Sequence, residues 1–334
     1  MEDDIACTGF FRATTEDTIS CLDKFQSDGA LQYLSGNLLE APYNLIYALT
    51  HPSEWLAWVP YTNAAMPDAA VKESLMRFIY YGASEQLFFV VFFLFLCVTI
   101  AGLIFNRFMW GVVRVLEGFA NTVGRFFAWA GLAMVLQQIV IIFMQRVFAV
   151  SEISIGFGMT VTHDVSWWSE ELKLYNAMIV CLCATYTFVQ GGHVRVDLVY
   201  SAISYRAKRV IDMMGSMIFM IPAAMLTWLY GWFFLWRVLV VPNPSASDSL
   251  DRLIGKARAL RWNVETIGFS PNGFNAYFLF KVLLVTFTFM VMLQAVAFFY
   301  RSYLEFKEGE DSEGKYLDKD QLGDAQAELV AEIH

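Results

Sequence analysis

The stretch Phe126–Gln145, FFAWAGLAMVLQQIVIIFMQ, contains no Asp, Glu, Lys or Arg, although Arg125 and Arg146 stand directly on either side of it. The hydrocarbon core of a bilayer is about 30 Å thick, and an α-helix crosses it with about 20 apolar residues. A helix satisfies its own backbone hydrogen bonds, so such a stretch is stable in lipid. The sequence therefore predicts a membrane-spanning helix here.

Four further stretches of similar length lack charged residues: Gln86–Asn106, Leu174–Val194, Met213–Trp236 and Val282–Tyr300. Over the whole chain of 334 residues, 57% are hydrophobic and 16% are charged, whereas soluble domains average about 25% charged residues. We expect an all-α integral membrane protein, a helical bundle with a four-helix core and one extra N-terminal transmembrane helix. That extra helix is Gln86–Asn106, for which a re-entrant or surface helix is the alternative.

The composition divides the chain into four parts. Residues 1–83 form an acidic N-terminal extension, 84–122 hold the extra hydrophobic helix and a basic connector, 123–303 hold the four-helix membrane domain, and 304–334 form an acidic tail. We expect the tail to be disordered or a surface helix. The start of the chain, MEDDIACTGFFR, is acidic and has no basic region followed by an apolar stretch, so we expect no secretory signal.

The N-terminal extension allows two interpretations. Leu31–Ala41 and Pro52–Val59 can be helices that lie at the membrane interface, with Trp55 and Trp58 as anchors. The alternative is a solvent-exposed domain with a small core, and the sequence favours neither. Cys7 and Cys21 can form a disulfide if this part of the chain lies in an oxidising compartment.

Basic residues favour the cytoplasmic side of a membrane. The connections 107–125 and 195–212 are basic, whereas 146–173 carries four acids and has basic residues only at its two ends. We therefore place the first two inside and the third outside. The connection 237–281, with a short helix expected at Leu250–Leu260, is counter-evidence, because it carries six basic residues and alternation puts it outside. Alternation also puts the N-terminal extension outside.

The sequence gives no sign of catalysis. None of the four histidines lies in the middle of a predicted span, and no metalloprotease, P-loop or nucleophile-elbow motif occurs. We predict no enzyme activity, no metal site and no cofactor, and the lack of a Lys/Arg-rich run argues against nucleic-acid binding. The span interiors offer only the neutral polar residues Gln137, Gln138, Asn176 and Gln294. Ion-driven carriers usually place ionisable groups or unwound backbone at mid-depth, so we do not expect this chain to move a solute alone.

Polar residues stand at the ends of the second and third spans. Arg146 ends one span, and Glu170 and Glu171 precede the next, so an antiparallel helix hairpin brings Arg146 and Glu171 together as an ion pair; two separately hydrated charges are the alternative. At the end of the third span comes QGGHVRVDLVY. If this segment is extended, His193, Arg195 and Asp197 alternate with apolar residues; if it is helical, His193 and Asp197 face one another. This predicts a half-polar strip at the cytoplasmic boundary.

The order of these segments resembles the DctQ-like small membrane subunit of tripartite ATP-independent periplasmic (TRAP) transporters. The resemblance rests on R-V-F after a span, W-x-x-E-E before the next, G-G-H-V-R-V-D after it, S-Y-R-A-K-R before the fourth and ETIGFSPNGFNAYFLFKVL before the last. It runs from about Gly124 to Tyr303. Residues 1–120 and the long connection 238–274 depart from the compact members of this family.

The resemblance implies a bacterial inner-membrane, multi-pass protein whose four-helix core has both ends in the cytoplasm. It implies a partner, a large TRAP membrane subunit that carries the substrate and sodium sites, and a periplasmic substrate-binding protein; together they take up an organic acid. It assigns structural or interface roles to the matching polar residues Arg146, Glu170, Glu171, His193, Arg195 and Asp197. The competing hypothesis is a membrane anchor that recruits another protein complex without transporting a solute.

Overall fold

The computed structural model of the protein describes residues 7–12, 18–61, 68–156, 160–190, 203–240, 249–251 and 273–318. The chain forms two compact units. The first unit contains residues 1–104 and 240–262, and the second contains residues 105–239 and 263–334. Most of the connection 238–274, including the helix expected at Leu250–Leu260, lies outside the described residues.

The described part of the first unit contains five helices between its N-terminal residues and residue 104: α1 (Cys21–Ser27), α2 (Ala30–Thr50), α3 (Ser53–Leu56), α4 (Ala69–Gly82) and α5 (Glu85–Ile104). A disulfide joins Cys7 to Cys21, the first residue of α1. The Ser20 hydroxyl accepts a hydrogen bond from the Asp23 amide at 2.9 Å and so satisfies one of the free donors at the start of α1.

A small aromatic core holds α3 against α4. The Trp55 ring stacks on Phe78 with 6.3 Å between centroids, and the Trp58 ring lies 5.1 Å from the same phenyl ring. Trp58 is buried, and the Trp55 indole donates to the Ala48 carbonyl oxygen at 3.0 Å. The two indoles therefore pack against Phe78 of α4 within this unit.

The second unit contains α6 (Asn106–Ile142), α7 (Val165–Gln190), α8 (Tyr205–Gly215), α9 (Ile221–Val240) and α10 (Phe278–Glu308). A π-helical turn, Ser216–Met220, joins α8 to α9 into one helix just before Pro222. Within the described residues, five helices are long and apolar enough to cross a membrane: α5, α6, α7, the joined α8–α9 and α10. This confirms the predicted all-α membrane bundle.

α6 is much longer than the predicted span. Residues 107–125, interpreted from the sequence as a connecting loop, continue the same helix, so that α6 has 37 residues and a length of about 55 Å. This length exceeds the bilayer core of about 30 Å. The first turns of α6 therefore extend beyond the hydrocarbon region.

α6 and α7 pack side by side in opposite directions. Asn121 lies opposite Gln190 (3.4 Å between the side-chain amides) and Gly131 lies opposite Ile179. A Cβ atom built on Gly124 would stand 2.1 Å from the Tyr186 Cβ atom, so only glycine permits this approach. Small residues serve the same purpose between other membrane helices, where close packing replaces the hydrophobic effect.

A β-hairpin closes the connection between α6 and α7. After a π-helical turn at Phe143–Val147, strand β1 (Glu152–Ile155) pairs antiparallel with β2 (Val161–Asp164), and Ile153 stands opposite His163. Ile153 is buried together with Ile141 of α6 and Val165 of α7. The hairpin is thereby anchored to the ends of both helices.

Candidate functional site

Polar contacts concentrate at the two ends of the second unit. One end, here called the charged end, contains Trp110–Arg125 of α6, Gln190 of α7, Tyr205–Asp212 of α8 and Arg301–Asp318. The other, here called the hairpin end, contains Gln137–Val147, the β-hairpin, Val165–Leu172 of α7 and Phe274–Tyr277.

A buried ion pair links α6 to α10 at the charged end. Arg301 is 7% exposed and Glu117 is 5% exposed. The Arg301 Nε atom lies 2.6 Å from Glu117 Oε1, while Nη2 donates to Glu117 Oε2. Two parallel bonds of this kind are the strongest arrangement of a guanidinium and a carboxylate. Removing one member of a buried pair leaves the other charge uncompensated, at a cost of about 3–5 kcal/mol.

Glu305 extends this pair into a network with α8. Its carboxylate is 2% exposed and lies between two guanidinium groups, 2.9 Å from Arg209 Nε and 3.4 Å from Arg301 Nη1. The backbone amide of Gly314 also donates to it at 3.3 Å. A buried charge is tolerated where partners of this kind surround it, so Glu305 fixes the relative positions of α8, α10 and the segment after α10.

The segment Gly309–Asp318 folds back over the charged end. Gly309, with φ of +92°, ends α10 and reverses the chain, a conformation that glycine adopts without strain. Glu313 then pairs with Arg209 at 2.8 Å, and the Lys315 carbonyl oxygen accepts from Arg301 at 3.1 Å. The start of the tail, predicted to be disordered or a surface helix, is therefore an ordered part of this network as far as Asp318.

Asp318 closes the segment onto α6 and α7. Arg125 donates to its carboxylate at 2.7 Å, and the side-chain amides of Asn121 and Gln190 both donate to its backbone carbonyl at 2.9 Å. The hydrogen bond from Arg125, together with its positive charge, holds the pKa of Asp318 below its usual value. The preceding residue, Leu317, packs on buried residues of α6, α7 and α10.

At the hairpin end, Gln137 links α6 to the first turns of α7. Its side-chain amide donates to the Glu171 carboxylate at 3.0 Å and to the Trp168 carbonyl oxygen at 3.2 Å. The Trp168 indole in turn donates to the Ile153 carbonyl oxygen of β1 at 3.3 Å. Glu171 is thus held by an amide of the neighbouring helix.

Glu170 holds the segment that leads into α10. Its carboxylate accepts a hydrogen bond from the Phe274 amide at 2.9 Å. The Phe274 ring packs edge-on against Trp167 with 5.3 Å between centroids, and Trp167 stacks on His163 of β2 at 4.1 Å. These contacts join the hairpin, α7 and the start of α10 in one polar–aromatic cluster.

The structure corrects one predicted contact. Arg146 lies exposed in the π-helical turn and forms no ion pair with Glu171, which accepts from Gln137 instead. Gln137 lies beside Glu171 in this register. Arg146 follows Gln137 by nine residues, which is about 13 Å along the helix axis, so it lies beyond the reach of Glu171. His193, Arg195 and Asp197 lie outside the described residues, so their predicted roles remain predictions.

The charged end was not predicted from the sequence. Glu117, Arg209, Arg301 and Glu305 were counted as loop or boundary charges, yet they are buried against one another. A signal was present on α6, where Trp110, Val113, Glu117, Ala120 and Gly124 recur at helical spacing and are all buried. The pairing itself has no local signal, because Glu117 and Arg301 are 184 positions apart.

At both ends, hydrogen bonds, ion pairs and aromatic contacts hold neighbouring segments of the second unit together. No group of His, Cys, Asp and Glu side chains within the described ranges is arranged to hold a metal ion. At the charged end the buried acids face arginines at short range, so their charges are compensated within the protein.

One region of the chain matches a known protein family, and this region includes part of the hairpin end. Residues 156–250 match the family model "Tripartite ATP-independent periplasmic transporters, DctQ component". No curated protein and no solved structure matches the chain. The matched region contains His163, Trp167, Glu170 and Glu171, and continues through α7, α8 and α9. This match, together with a multi-helix membrane bundle among the described residues, supports the resemblance to a DctQ-like small membrane subunit of a TRAP transporter.

Proposed function

We propose that this small permease subunit supports a large membrane subunit and a periplasmic binding protein in sodium-coupled uptake of an organic acid. The observation that carries the proposal is the distribution of buried charge. Among the described residues of the second unit, the buried charged side chains are Glu117, Arg209, Arg301 and Glu305, and all four lie at the charged end.

Between the two ends, the buried polar residues of the helices are neutral. Thr185, Thr288 and Gln294 are the examples on α7 and α10. A carrier that couples a solute to an ion gradient usually needs ionisable groups or unwound backbone near the middle of the membrane. The substrate and sodium sites are therefore assigned to the partner subunit.

The spanning helices have ample surface for such a partner. Only 11% of the most apolar part of α6 is buried within the chain, and Phe126, Trp129, Leu132 and Leu136 are all exposed. A packed helix of a larger subunit can cover part of this surface, and lipid the rest. Between membrane helices, close packing and interhelical hydrogen bonds favour association.

The charges of the connections support an orientation for the complex. The basic residues of 107–125 and 195–212 favour a cytoplasmic charged end, and the acidic connection 146–173 then lies in the periplasm. The hairpin end, where Trp167 and His163 are half-buried, then faces the compartment from which a binding protein delivers its substrate. An inner-membrane location in a bacterium follows from this assignment.

Co-purification tests the proposal. The tagged chain, expressed with a large TRAP membrane subunit, should retain that subunit through purification in mild detergent. Glu171→Ala and Arg195→Ala should weaken the association or the uptake, whereas the control Glu152→Ala, an exposed acid of the neighbouring strand, should change neither. Purification of the chain without any large membrane subunit, under conditions that keep both folded, would support the alternative of an anchor for another complex.

A further inference from the structure

One face of α2 is apolar and open. Leu31, Leu34, Leu39, Ile46 and Leu49 are 54–79% exposed. At about 100° per residue, these five side chains fall within a sector of about 140° along the whole helix. Leu38, Pro42 and Leu45 fall in the same sector, and Ser35 is its one polar residue.

The opposite face of α2 is occupied by the first unit itself. Gly36, Asn37 and Ala41 are buried, and the Glu40 carboxylate accepts a hydrogen bond from Gln26 of α1 at 3.1 Å. The helix is therefore oriented by its polar side, which packs inward, while its aliphatic side faces away. A soluble domain normally has the reverse arrangement.

Contacts with α5 place α2 at the boundary of a membrane span. The Tyr33 hydroxyl donates to the carboxylate of Glu85, the first residue of α5, and the Tyr33 ring lies 6.1 Å from Phe89 one turn later. Tyr80 and Tyr81, just before α5, are exposed, as is typical of aromatic residues at the membrane–water interface. Tyr33 lies about 200° from Leu31 around the helix, so α2 packs on the first turn of a spanning helix through the side opposite its open face.

The chemistry of this face fits hydrocarbon rather than a protein partner. Energetically dominant residues of protein interfaces are enriched in Trp, Tyr and Arg, and leucine is under-represented among them. The open face of α2 is almost wholly aliphatic and carries no charge. We infer that α2 is an amphipathic helix whose open face contacts the acyl chains of the leaflet that surrounds the first turn of α5.

The disulfide identifies the leaflet. Cys7 and Cys21 are joined in the same unit, directly before α2, and disulfides persist in oxidising compartments such as the periplasm. α2 therefore lies on the periplasmic side. This inference uses contacts of the first unit alone, so it stands or fails independently of the proposed transport role.

Fluorophore quenching in the full chain tests this inference. Three variants each carry one added cysteine, at Leu34, at Ile46 or, as a control, at the exposed Glu73 of α4. All three keep the disulfide and also carry Cys97→Ala, Cys181→Ala and Cys183→Ala, so that only the added cysteine is labelled. Each variant is labelled without reductant and reconstituted in vesicles of phosphatidylethanolamine and phosphatidylglycerol. Nitroxide-bearing lipids should quench the labels at Leu34→Cys and Ile46→Cys several-fold more than the label at Glu73→Cys, and aqueous iodide should show the opposite order.

Either of two quenching results would overturn the inference. Stronger quenching of the α2 labels by iodide than by nitroxide lipid would show that this face is in water. Loss of lipid quenching when a large membrane subunit is added would show that a protein covers it. An impermeant maleimide applied to intact cells should label Glu73→Cys, since the periplasm is reached through outer-membrane pores; labelling that requires lysis would move the unit to the other side.

Discussion

Gly124 sets the distance between α6 and α7, and replacing it with alanine is the sharpest single test of the bundle. The built Cβ atom stands 2.1 Å from the Tyr186 Cβ atom and 2.7 Å from its Cγ atom. Carbon atoms in contact prefer about 3.5–4.0 Å. Because the Tyr186 Cβ atom is fixed to the backbone, no change of rotamer relieves the overlap, and the two helices must separate.

The expected cost follows from two opposing effects. Overpacking of a well-filled core costs about 1–3 kcal/mol, whereas replacing a helical glycine with alanine gains about 0.5–1 kcal/mol. Gly124→Ala should therefore lower the free energy of unfolding by about 1 kcal/mol, which is the difference between the middles of these ranges. Gly131→Ala is the matched control, because its Cβ atom would lie 3.6 Å from Ile179, an ordinary contact on the same helix pair.

The assay is reversible unfolding of the purified chain in mixed micelles, with helix content followed by circular dichroism as the fraction of denaturing detergent rises. Gly131→Ala should match or slightly exceed the unchanged protein in stability, and Gly124→Ala should fall below it. If Gly124→Ala proved as stable as Gly131→Ala, the close approach of α6 and α7 at Tyr186 would be refuted.

Three further experiments test the charged end and the first unit. Glu117→Gln and Arg301→Gln should each destabilise the protein, and the double variant should recover a coupling energy of about 1–3 kcal/mol; strictly additive effects would disprove the ion pair. The pKa of Asp318 is lowered in the folded protein. The stabilisation from its contact with Arg125 is therefore fully present above the ordinary carboxyl pKa of about 4, and it is lost as the pH falls through the lower pKa of the folded state. Limited proteolysis should therefore release the C-terminal segment in acid, and Arg125→Gln should remove that pH dependence; a dependence unchanged in Arg125→Gln would count against the contact. Cys21→Ser removes the disulfide, which joins residues with a sequence separation of 14, and should lower the free energy of unfolding by about 2–4 kcal/mol. A protease should then cut the chain before α2 more rapidly. Unchanged cleavage would mean that the disulfide does not hold this segment.

The spans were predictable because their signal is local and strong. A stretch of about 20 consecutive uncharged, apolar residues is typical of a membrane-spanning helix. Each predicted stretch overlaps one of the five long apolar helices among the described residues. The boundaries were less predictable. Charges such as Arg114 and Glu117 gave residues 107–125 the composition of a loop, although the buried positions Trp110, Val113 and Gly124 keep a helical period.

The sequence predicted the positions of the helices better than it predicted which side chains form contacts between them. The predicted helix hairpin correctly places the end of α6 beside the start of α7, where Glu171 is held. Arg146 was the wrong partner for Glu171, because the sequence does not show that Gln137 lies opposite Glu171 in the antiparallel register. The Arg301–Glu117 pair depends on the packing of α10 on α6, which no periodicity within either helix encodes.

Uptake by proteoliposomes tests most directly whether this chain depends on a larger companion. Vesicles that contain the chain alone, the chain with a large TRAP membrane subunit, or both with a loaded periplasmic binding protein are compared under an inward sodium gradient. Uptake of the bound organic acid should occur only in the complete mixture and should cease when the chain is left out. Sodium-driven uptake by vesicles that contain this chain alone would contradict the proposal that the transport sites belong to a partner subunit.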